Sequence, residues 1–268
     1  MIVDFLKMSA CGNDYVLVCD ASLPFETVAK LMCKRRFSVG ADGLLAVLPA
    51  QNQRNTARMR MFNPDGSESE MCGNGVRCVG RFVLENHQKY SLKGENDTIF
   101  IETASGVKKV FSRDDTLFIE IGQPKVMEKL TISAHDRVFS VVPLNVGNPH
   151  AVVLLSESEF MENNAFLHYA PIIEKNHTFP EKTNVEFAYV SDKTKINAKF
   201  WERGVGETLS CGTGSCAVFA AARSLGMVEN SAYVVGRGGV LEVAENGHGL
   251  TLGGEAEVVF YGRITLDL

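Results

Sequence analysis

Two short segments of the sequence place a cysteine directly before a Gly-x-Gly turn and an apolar run with helical spacing. They are Met71–Cys78 (Met-Cys-Gly-Asn-Gly-Val-Arg-Cys) and Ser210–Cys216 (Ser-Cys-Gly-Thr-Gly-Ser-Cys). Each cysteine is therefore expected at a helix N-terminus. Free N–H groups and the positive end of the helix dipole favour a thiolate there, and they also bind a carboxylate. The two segments predict a site with two thiols and one anion.

The composition restricts the class of protein. The chain has 268 residues, enough for one large domain or two medium ones. Its net charge is −5 and it has no long basic run, so no nucleic-acid partner is expected. The segment Met1–Lys7 lacks the long apolar region of a signal peptide, and no apolar run is long enough to span a membrane. These features predict a cytoplasmic protein without a membrane partner.

The cysteine pattern speaks against disulfides and metals. Seven cysteines are an odd number, which argues against a disulfide framework, and their spacings do not match the usual zinc pairs. Cys72 or Cys211 alone would be interpreted as a buried small residue, but the matched Gly-x-Gly context favours a function for the pair. The sequence shows no pyridoxal-phosphate lysine motif, dinucleotide fingerprint or Walker A motif. We expect no metal and no cofactor.

The second half of the sequence repeats the first. Subtracting 139 from its numbering places Cys211 on Cys72, and other matches follow at the same or a similar offset: Gly212 on Gly73, Gly214 on Gly75, Glu207 on Glu68, Trp201 on Phe62, and Gly147-Asn148 on Gly12-Asn13. The repeat predicts two copies of one β-rich lobe, over 1–115 and 116–256, with a last strand at 257–268 that can pair back into the first. A cleft between related lobes would bring the two cysteines face to face.

Local patterns predict several elements around these segments. Apolar spacing favours a helix over Phe25–Arg36, whose basic end, Lys34–Arg36, is interpreted as a solvated face. Val138–Val146 is predicted as a strand, and Pro143 suggests that it is an edge strand or contains a bulge. Glu202–Glu207 is predicted as a loop leading to the second cysteine.

Opposed thiols suit one reaction in particular. Removing an α-proton from an amino acid and returning one on the other face needs two acid/base groups, one deprotonated and one protonated. A free thiol has a pKa of about 8.5, so a helix N-terminus can bring it within reach of neutral pH. The same N–H groups can hold the substrate carboxylate and stabilise the charge that moves onto it.

Several polar residues have a structural interpretation beside a functional one. His150, in a Gly-Asn-Pro-His turn, is by itself best interpreted as a structural histidine. Glu202 and Arg203, on the approach to Cys211, could be an exposed ion pair. Four asparagines stand at strand–turn junctions, where asparagine is common for conformational reasons: Asn13, Asn63, Asn148 and Asn184. A polar amino acid substrate, however, needs several neutral donors and acceptors.

In this order and spacing, the segments resemble the diaminopimelate epimerase family over nearly the whole chain. The motifs that carry the resemblance are Gly12–Asp14, Gly40–Gly43, Phe62–Ser67, Cys72–Cys78, Gly147–His150, Asn184, Glu202–Thr208 and Cys211–Gly214. The resemblance implies an α+β fold of two pseudo-symmetric lobes, each a β-barrel-like sheet wrapped around a central helix. It also implies interconversion of LL- and meso-diaminopimelate without a cofactor, in lysine and peptidoglycan precursor biosynthesis, by a homodimer.

The resemblance further implies roles for individual residues. Cys72 and Cys211 would be the acid/base pair, and His150 and Glu202 would tune the protonation of the cysteines. Substrate would be bound by Asn13, Asn63, Gly73, Asn74, Asn148, Asn184, Glu202, Arg203, Gly212 and Thr213. In that set, the pair that follows each cysteine would hold the α-carboxylate. Arg203 would grip the distal carboxylate in a bidentate manner.

Three other functions remain open at this point. The first is a proline or hydroxyproline racemase of the same architecture, which substrate competition would distinguish. The second is a non-catalytic module that binds an amino acid on its helix starts, which would show affinity without α-proton exchange. The third is a thiol-redox protein using Cys72 and Cys78, which is disfavoured because their spacing is not Cys-x-x-Cys.

Overall fold

The computed structural model describes residues 1–69, 72–86, 98–162 and 164–267. Met71, in the first cysteine segment, and Leu268, at the end of the predicted last strand, lie outside the described residues. The chain divides into two compact units, lobe 1 (Met1–Glu120 with Gly253–Leu268) and lobe 2 (Ile121–Leu252). Within the described part of the chain, no helix has the length and apolar character needed to cross a membrane.

Short strands dominate the architecture, and five helices are interspersed among them in the described ranges. The strands are β1 (Ile2–Ala10), β2 (Asn13–Val18), β3 (Gly43–Leu48), β4 (Ala57–Phe62), β5 (Glu68–Ser69), β6 (Thr98–Thr103), β7 (Gly106–Arg113), β8 (Thr116–Gly122), β9 (Lys125–Val126), β10 (Leu130–Ala134), β11 (Arg137–Asn145), β12 (Pro149–Leu154), β13 (Asn184–Asp192), β14 (Lys195–Glu202), β15 (Gly206–Thr208), β16 (Ser231–Gly236), β17 (Gly239–Asn246), β18 (Gly249–Gly254) and β19 (Glu257–Thr265). The helices are α1 (Phe25–Met32), α2 (Gly73–Asn86), α3 (Glu157–Phe160), α4 (Ala165–Glu174) and α5 (Gly212–Ser224).

The two lobes share one strand topology. In lobe 1, β1 pairs antiparallel with β2, β2 runs parallel to β3, β3 pairs antiparallel with β4, and β4 runs parallel to β6. In lobe 2, β11, β12, β13, β14 and β16 repeat the same four pairings in the same order. The outer side of β1 is covered by β19, as β10 covers β11. The predicted α+β fold of two similar lobes is confirmed.

A buried helix lies at the centre of each sheet. Helix α2 packs against β1, β2, β3, β4, β6 and β7, and α5 packs against β9, β11, β12, β13, β14, β16 and β17. Val76, Val79, Phe82 and Val83 of α2 are almost fully buried. Each large apolar side chain buried in this way stabilises the fold by roughly 1.5–3 kcal/mol. The start of each helix, where a cysteine stands, is therefore held by its whole lobe.

The boundary between the lobes lies inside β8, whereas the repeat placed it between residues 115 and 116. The division falls after Glu120 because most of β8 pairs antiparallel with β7 and stays with lobe 1. At the other end, β19 pairs with β1 from Ile2 to Ser9. The C-terminal strand is thus part of lobe 1.

Two local predictions were wrong, and a third was wrong in one of its two alternatives. Helix α1 ends at Met32 instead of Arg36, because Gly40 N–H binds the Met32 carbonyl and Arg36 adopts a positive φ of 71°. β11 is not an edge strand, since it pairs with β12 on one side and with β9 and β10 on the other. Pro143 lies at the point where the pairing partner of β11 changes from β10 to β9. The predicted loop Glu202–Glu207 is the tip of a hairpin, because β15 pairs with β14.

Candidate active site

The first half-site is built around Cys72, which directly precedes α2. The Val76 N–H donates to the Cys72 carbonyl at 2.9 Å, so the cysteine is fixed to the first turn of the helix. The sulfur is partly exposed and lies 3.1 Å from the hydroxyl of Tyr15 on β2. Burial, together with the Cys72 sulfur, raises the pKa of Tyr15 well above its ordinary value. The tyrosine therefore keeps its proton and can donate it to the sulfur in a hydrogen bond.

A chain of amide contacts continues from the same helix start. Asn74 Nδ2 donates to Asn13 Oδ1 at 2.6 Å, and Arg77 Nη2 donates to Asn74 Oδ1 at 2.7 Å and to Cys11 Sγ at 3.4 Å. Arg77 is fully buried, and its Nε and Nη1 have no hydrogen-bond partner among the described residues. These contacts fix the orientation of the Asn13 and Asn74 amides. The sequence analysis did not single out Arg77.

An ion cluster holds the turn that carries Asn13. Arg35 binds both Asp14 and Asp42, Lys7 binds Asp14 at 2.6 Å, and Asn13 Nδ2 donates to Asp42 at 3.2 Å. Burial opposes ionisation of Asp14, but the hydrogen bonds from Arg35 and Lys7 outweigh it and lower its pKa to about 2. Lys34–Arg36 are exposed, as predicted, and Arg35 in addition binds two carboxylates from this surface. Its guanidinium anchors the half-site although much of the side chain is exposed.

Asn63 is engaged in its own turn. Its Nδ2 donates to Ser67 Oγ at 3.0 Å, and its backbone N–H donates to the Ser67 carbonyl at 2.8 Å. Asp65 Oδ1 accepts from the Ser67 hydroxyl at 2.6 Å. The conformational role of asparagine at such a turn is therefore visible here, and no residue of this turn donates a hydrogen bond to the side-chain oxygen of Asn63.

The second half-site is built around Cys211, the N-cap of α5. Its backbone is extended (φ −136°, ψ 119°), and its sulfur accepts the Gly214 N–H at 3.3 Å and lies 3.5 Å from Thr213 Oγ1. Only 7% of Cys211 is exposed. Burial, then Glu202 and Glu186, raise the pKa of Cys211 well above its ordinary value, and the contacts from Thr213 and Gly214 only partly oppose this. The helix start by itself therefore does not lower the pKa of Cys211.

A histidine–glutamate pair lies behind Cys211. His150 Nδ1 is 2.7 Å from Glu186 Oε1, and His150 Nε2 is 2.9 Å from Asn148 Oδ1, so both ring nitrogens are held. Glu186 is fully buried, and its Oε2 has no hydrogen-bond partner in the part of the chain described. Burial raises the pKa of Glu186, and His150 opposes the shift. Sequence reasoning missed Glu186 because it stands inside an apolar strand.

Glu202 and Arg203 sit at the tip of the β14–β15 hairpin. Burial raises the pKa of Glu202, opposed by Thr208, His150 and Cys211 beside it. The Arg203 N–H donates to Asn184 Oδ1 at 2.9 Å, and Asn184 Nδ2 donates to the Pro149 carbonyl at 3.0 Å. Asn184 thus connects the tip of the hairpin to the start of β12, the strand that contains His150. The guanidinium of Arg203 is exposed and donates to the Glu181 carbonyl at 3.0 Å.

The strand register shows which residues of the two half-sites correspond. Tyr15 and His150 each open a parallel ladder, opposite Gly43 and Asn184, respectively. Two residues further along the second strand of each ladder stand Leu45 in lobe 1 and Glu186 in lobe 2. By the same reasoning, Asn63 after β4 corresponds to Glu202 at the end of β14. Lobe 2 therefore has a histidine and two glutamates at the three positions where lobe 1 has tyrosine, leucine and asparagine.

The chemistry available in each half-site follows from these contacts. Each offers one thiol at a helix start, with free backbone N–H groups beside it that suit a carboxylate. Lobe 2 adds carboxyl groups and an imidazole that can take up or hold a proton. Within residues 1–69, 72–86, 98–162 and 164–267, no three His, Cys, Asp or Glu residues are placed to hold a metal ion.

The sequence matches known proteins over its full length. The family model described as diaminopimelate epimerase matches residues 5–127 and 142–259. A protein named diaminopimelate epimerase from Halothermothrix orenii is 34% identical, over 100% of this chain and 99% of its own. A protein of the same name from Methanococcus maripaludis is 35% identical, over 98% of this chain and 99% of its own.

Solved structures with low sequence identity share the fold. A hydroxyproline epimerase from Agrobacterium vitis has a TM-score of 0.71 at 16% identity, covering 99% of this chain and 93% of its own. A phenazine biosynthesis protein of the PhzF family from Bacillus anthracis has a TM-score of 0.72 at 18% identity, covering 99% and 100%. At these identities the similarity establishes the fold alone.

Proposed function

Since this chain belongs to the diaminopimelate epimerase family, we propose that it interconverts LL- and meso-diaminopimelate, on the route to lysine and peptidoglycan precursors. The reaction makes it an isomerase, and we propose that it needs neither a metal nor pyridoxal phosphate. Its two-base mechanism uses one thiolate to remove the α-proton and one thiol to return a proton on the other face of the carbon.

One observation carries the mechanism. Cys72 and Cys211 stand at equivalent positions of two equivalent lobes, each at the start of the buried central helix. Each sulfur is contacted by a polar group, the Tyr15 hydroxyl in lobe 1 and the Gly214 N–H in lobe 2. Such donors stabilise a thiolate once it forms. General acid–base catalysis by groups of this kind contributes on the order of 10²–10⁴-fold.

We infer that Cys211 is the proton donor in the free enzyme and that Cys72 is the base. The raised pKa of Cys211 supports the protonated form of its sulfur. After one turnover the two protonation states are exchanged. Glu202, Glu186 and His150 then decide how readily Cys211 returns to the thiol.

The substrate-binding roles fit the chemistry of each residue. The backbone N–H groups of Gly73-Asn74 and Gly212-Thr213, at the two helix starts, suit the α-carboxylate. The exposed Arg203 guanidinium suits the distal carboxylate. The remaining members of the set supply amide or carboxyl groups for the ammonium groups and for the orientation of neighbours: Asn13, Asn63, Asn148, Asn184 and Glu202.

We also propose a cytoplasmic homodimer. Support comes from β19, which pairs with β1 and exposes a row of apolar side chains, Val259, Phe260 and Tyr261. Contiguous exposed apolar residues on a strand mark a contact surface. Tyr261→Asp should convert the dimer to a monomer in light scattering after size exclusion. A wild-type protein that is monomeric at micromolar concentration would refute the proposal.

Exchange of the α-proton tests the function. Reduced protein is incubated with LL-diaminopimelate in heavy water with a chelator and no added cofactor, and deuterium at the α-carbon is followed together with the meso product. We expect exchange with epimerisation. A folded, reduced sample that binds the substrate without exchange would support a binding module instead. Exchange of proline or hydroxyproline in place of diaminopimelate would support the racemase.

A further inference from the structure

The Tyr15 hydroxyl lies within hydrogen-bond distance of the Cys72 sulfur in lobe 1. We propose that Tyr15 is a positioning residue that donates its O–H to the Cys72 thiolate and thereby sets the protonation of this half-site. This inference rests on the proposed two-base function but concerns a residue that the family motifs do not assign. The distance between Oη and Sγ is 3.1 Å, within the range for a hydrogen bond to sulfur.

Burial supports the tyrosine as the donor when Cys72 is a thiolate. Only 1% of Tyr15 is exposed, and its pKa is raised well above the ordinary value, first by burial and then by the sulfur itself. A buried phenol that stays protonated at neutral pH can donate its proton, and a thiolate, which has no proton of its own, can only accept it. Cys72, in contrast, is partly exposed, so the tyrosine is the fixed member of the pair.

The internal repeat gives an independent argument. Tyr15 and His150 open the equivalent parallel ladders of the two lobes. In lobe 2 this position holds an imidazole bound to Glu186, whereas in lobe 1 the residue equivalent to Glu186 is Leu45. A histidine at position 15 would lack a carboxylate partner in lobe 1. A phenol needs only one partner for its hydroxyl, and Cys72 supplies it.

Other charged and titratable groups also face this pair. Cys78 and Arg77 lie on α2, Asp42 precedes β3, and Cys11 lies in the turn after β1. Arg77 acts on Cys78 and Cys11, and Asp42 acts on Tyr15. A substitution that removes only the Tyr15 oxygen leaves all four groups in place. Its effect on Cys72 can therefore be assigned to the hydroxyl.

Alkylation of Cys72 measures this effect without any substrate. The rate of modification by iodoacetamide is recorded from pH 6 to 10 for the wild type and Tyr15→Phe, and the Cys72 peptide is quantified by mass spectrometry. Loss of a hydrogen bond to a charged acceptor is expected to move the alkylation midpoint up by about one pH unit, so that about tenfold less thiolate is present at neutral pH. An unchanged midpoint in a folded variant would overturn the proposal.

Two further proteins complete the experiment. Tyr169→Phe removes a hydroxyl bound to Asp136 in lobe 2, at 2.9 Å, and should leave the Cys72 profile unchanged. If Tyr15→Phe does not fold, 3-fluorotyrosine at position 15 keeps the ring and makes the hydroxyl a stronger donor, so the midpoint should move down. A midpoint that stays in place with this residue would also contradict the proposal.

Failure of the proposed function would look different. A protein that does not exchange the α-proton of diaminopimelate would refute the reaction, yet its Cys72 alkylation profile could still be measured. Conversely, if the wild type is active and Tyr15→Phe has the same Cys72 alkylation profile as the wild type, only the present inference is refuted. In an active enzyme, Tyr15→Phe should lower kcat/KM in both directions by the same factor, because the equilibrium constant is fixed.

Discussion

The two half-sites use the same backbone framework with different side chains around the thiol. In lobe 1, Cys72 is partly exposed and is contacted by a phenol, with leucine and asparagine at the neighbouring positions. In lobe 2, Cys211 is buried beside Glu186 and Glu202, and His150 lies behind it. A symmetric framework suits a reaction that treats both faces of one carbon. In the proposed mechanism, the unequal side chains set which thiol carries the proton at rest.

This difference shows which features the two repeated lobes share and which differ between them. The helix starts, the glycines beside the cysteines and the strand register are the same in both lobes, because they place a sulfur and backbone N–H groups in one geometry. The side chains on the adjacent strands diverge, because they control proton affinity and not position. Substitutions at the cysteines, at the equivalent glycines and at Glu202 test this separation of roles.

The largest effect is expected from removing either sulfur. Cys72→Ser and Cys211→Ser should each lower kcat by at least about 100-fold, because a serine hydroxyl neither ionises near neutral pH nor donates as readily. Epimerisation of diaminopimelate measures the loss, and circular dichroism verifies the fold. Cys19→Ser, at the end of β2, is the matched control and should keep activity. Near wild-type activity in either first variant would refute a two-base mechanism.

A smaller effect is expected at the equivalent glycines. A methyl group at Gly214 would lie 2.9 Å from both Glu186 Oε1 and Phe200 Cδ1. At Gly75 the nearest atom to such a methyl group would be Leu45 Cδ2, at 3.1 Å. Gly214→Ala should therefore cost about 1–3 kcal/mol of unfolding free energy and lower kcat. Gly75→Ala should change stability by less than about 1 kcal/mol, because alanine also favours the helix. Urea unfolding measures both, and equal losses would contradict the comparison.

The smallest effect concerns the pH dependence of stability. The pKa of Glu202 is raised in the folded protein, so the unfolded chain releases this proton more readily and stability falls as pH rises from about 4.3 towards the folded pKa. Glu202→Gln removes this term, so the Tm of the variant should exceed that of the wild type increasingly towards neutral pH. Glu207→Gln, on the exposed hairpin strand, is the matched loss of charge. Parallel Tm–pH curves for wild type and Glu202→Gln would contradict the buried carboxyl.

The sequence predicted the scaffold better than the chemistry of its surroundings. The apolar periods located the start of α1 and the strand β11, and the two Gly-x-Gly segments located the starts of α2 and α5. The end of α1 was wrong because the contact that stops the helix, from Gly40 to Met32, joins residues that no local pattern links. The hairpin strand β15 was missed because three residues are too few for an alternating pattern.

The electrostatics of the second half-site could not be predicted from sequence. Glu186 stands in a strand that is otherwise apolar, so only the register with β12 reveals that it meets His150. A helix start was expected to lower the pKa of Cys211, but burial and two carboxyl groups outweigh one N–H contact. The sequence pattern marks Tyr15 only as a strand residue, and its equivalence to His150 follows from the strand register of the two lobes. One sign was available: both residues come two positions after the Gly-Asn pair.

The protonation state of Cys211 in the free enzyme tests the comparison most directly. Protein labelled with [3-¹³C]cysteine is titrated by NMR from pH 6 to 10, and the Cβ resonances are assigned with Cys72→Ser and Cys211→Ser. We expect Cys211 to keep the chemical shift of a thiol beyond pH 8.5, the ordinary thiol pKa being about 8.5. A Cys211 resonance that is already that of a thiolate at neutral pH would contradict it.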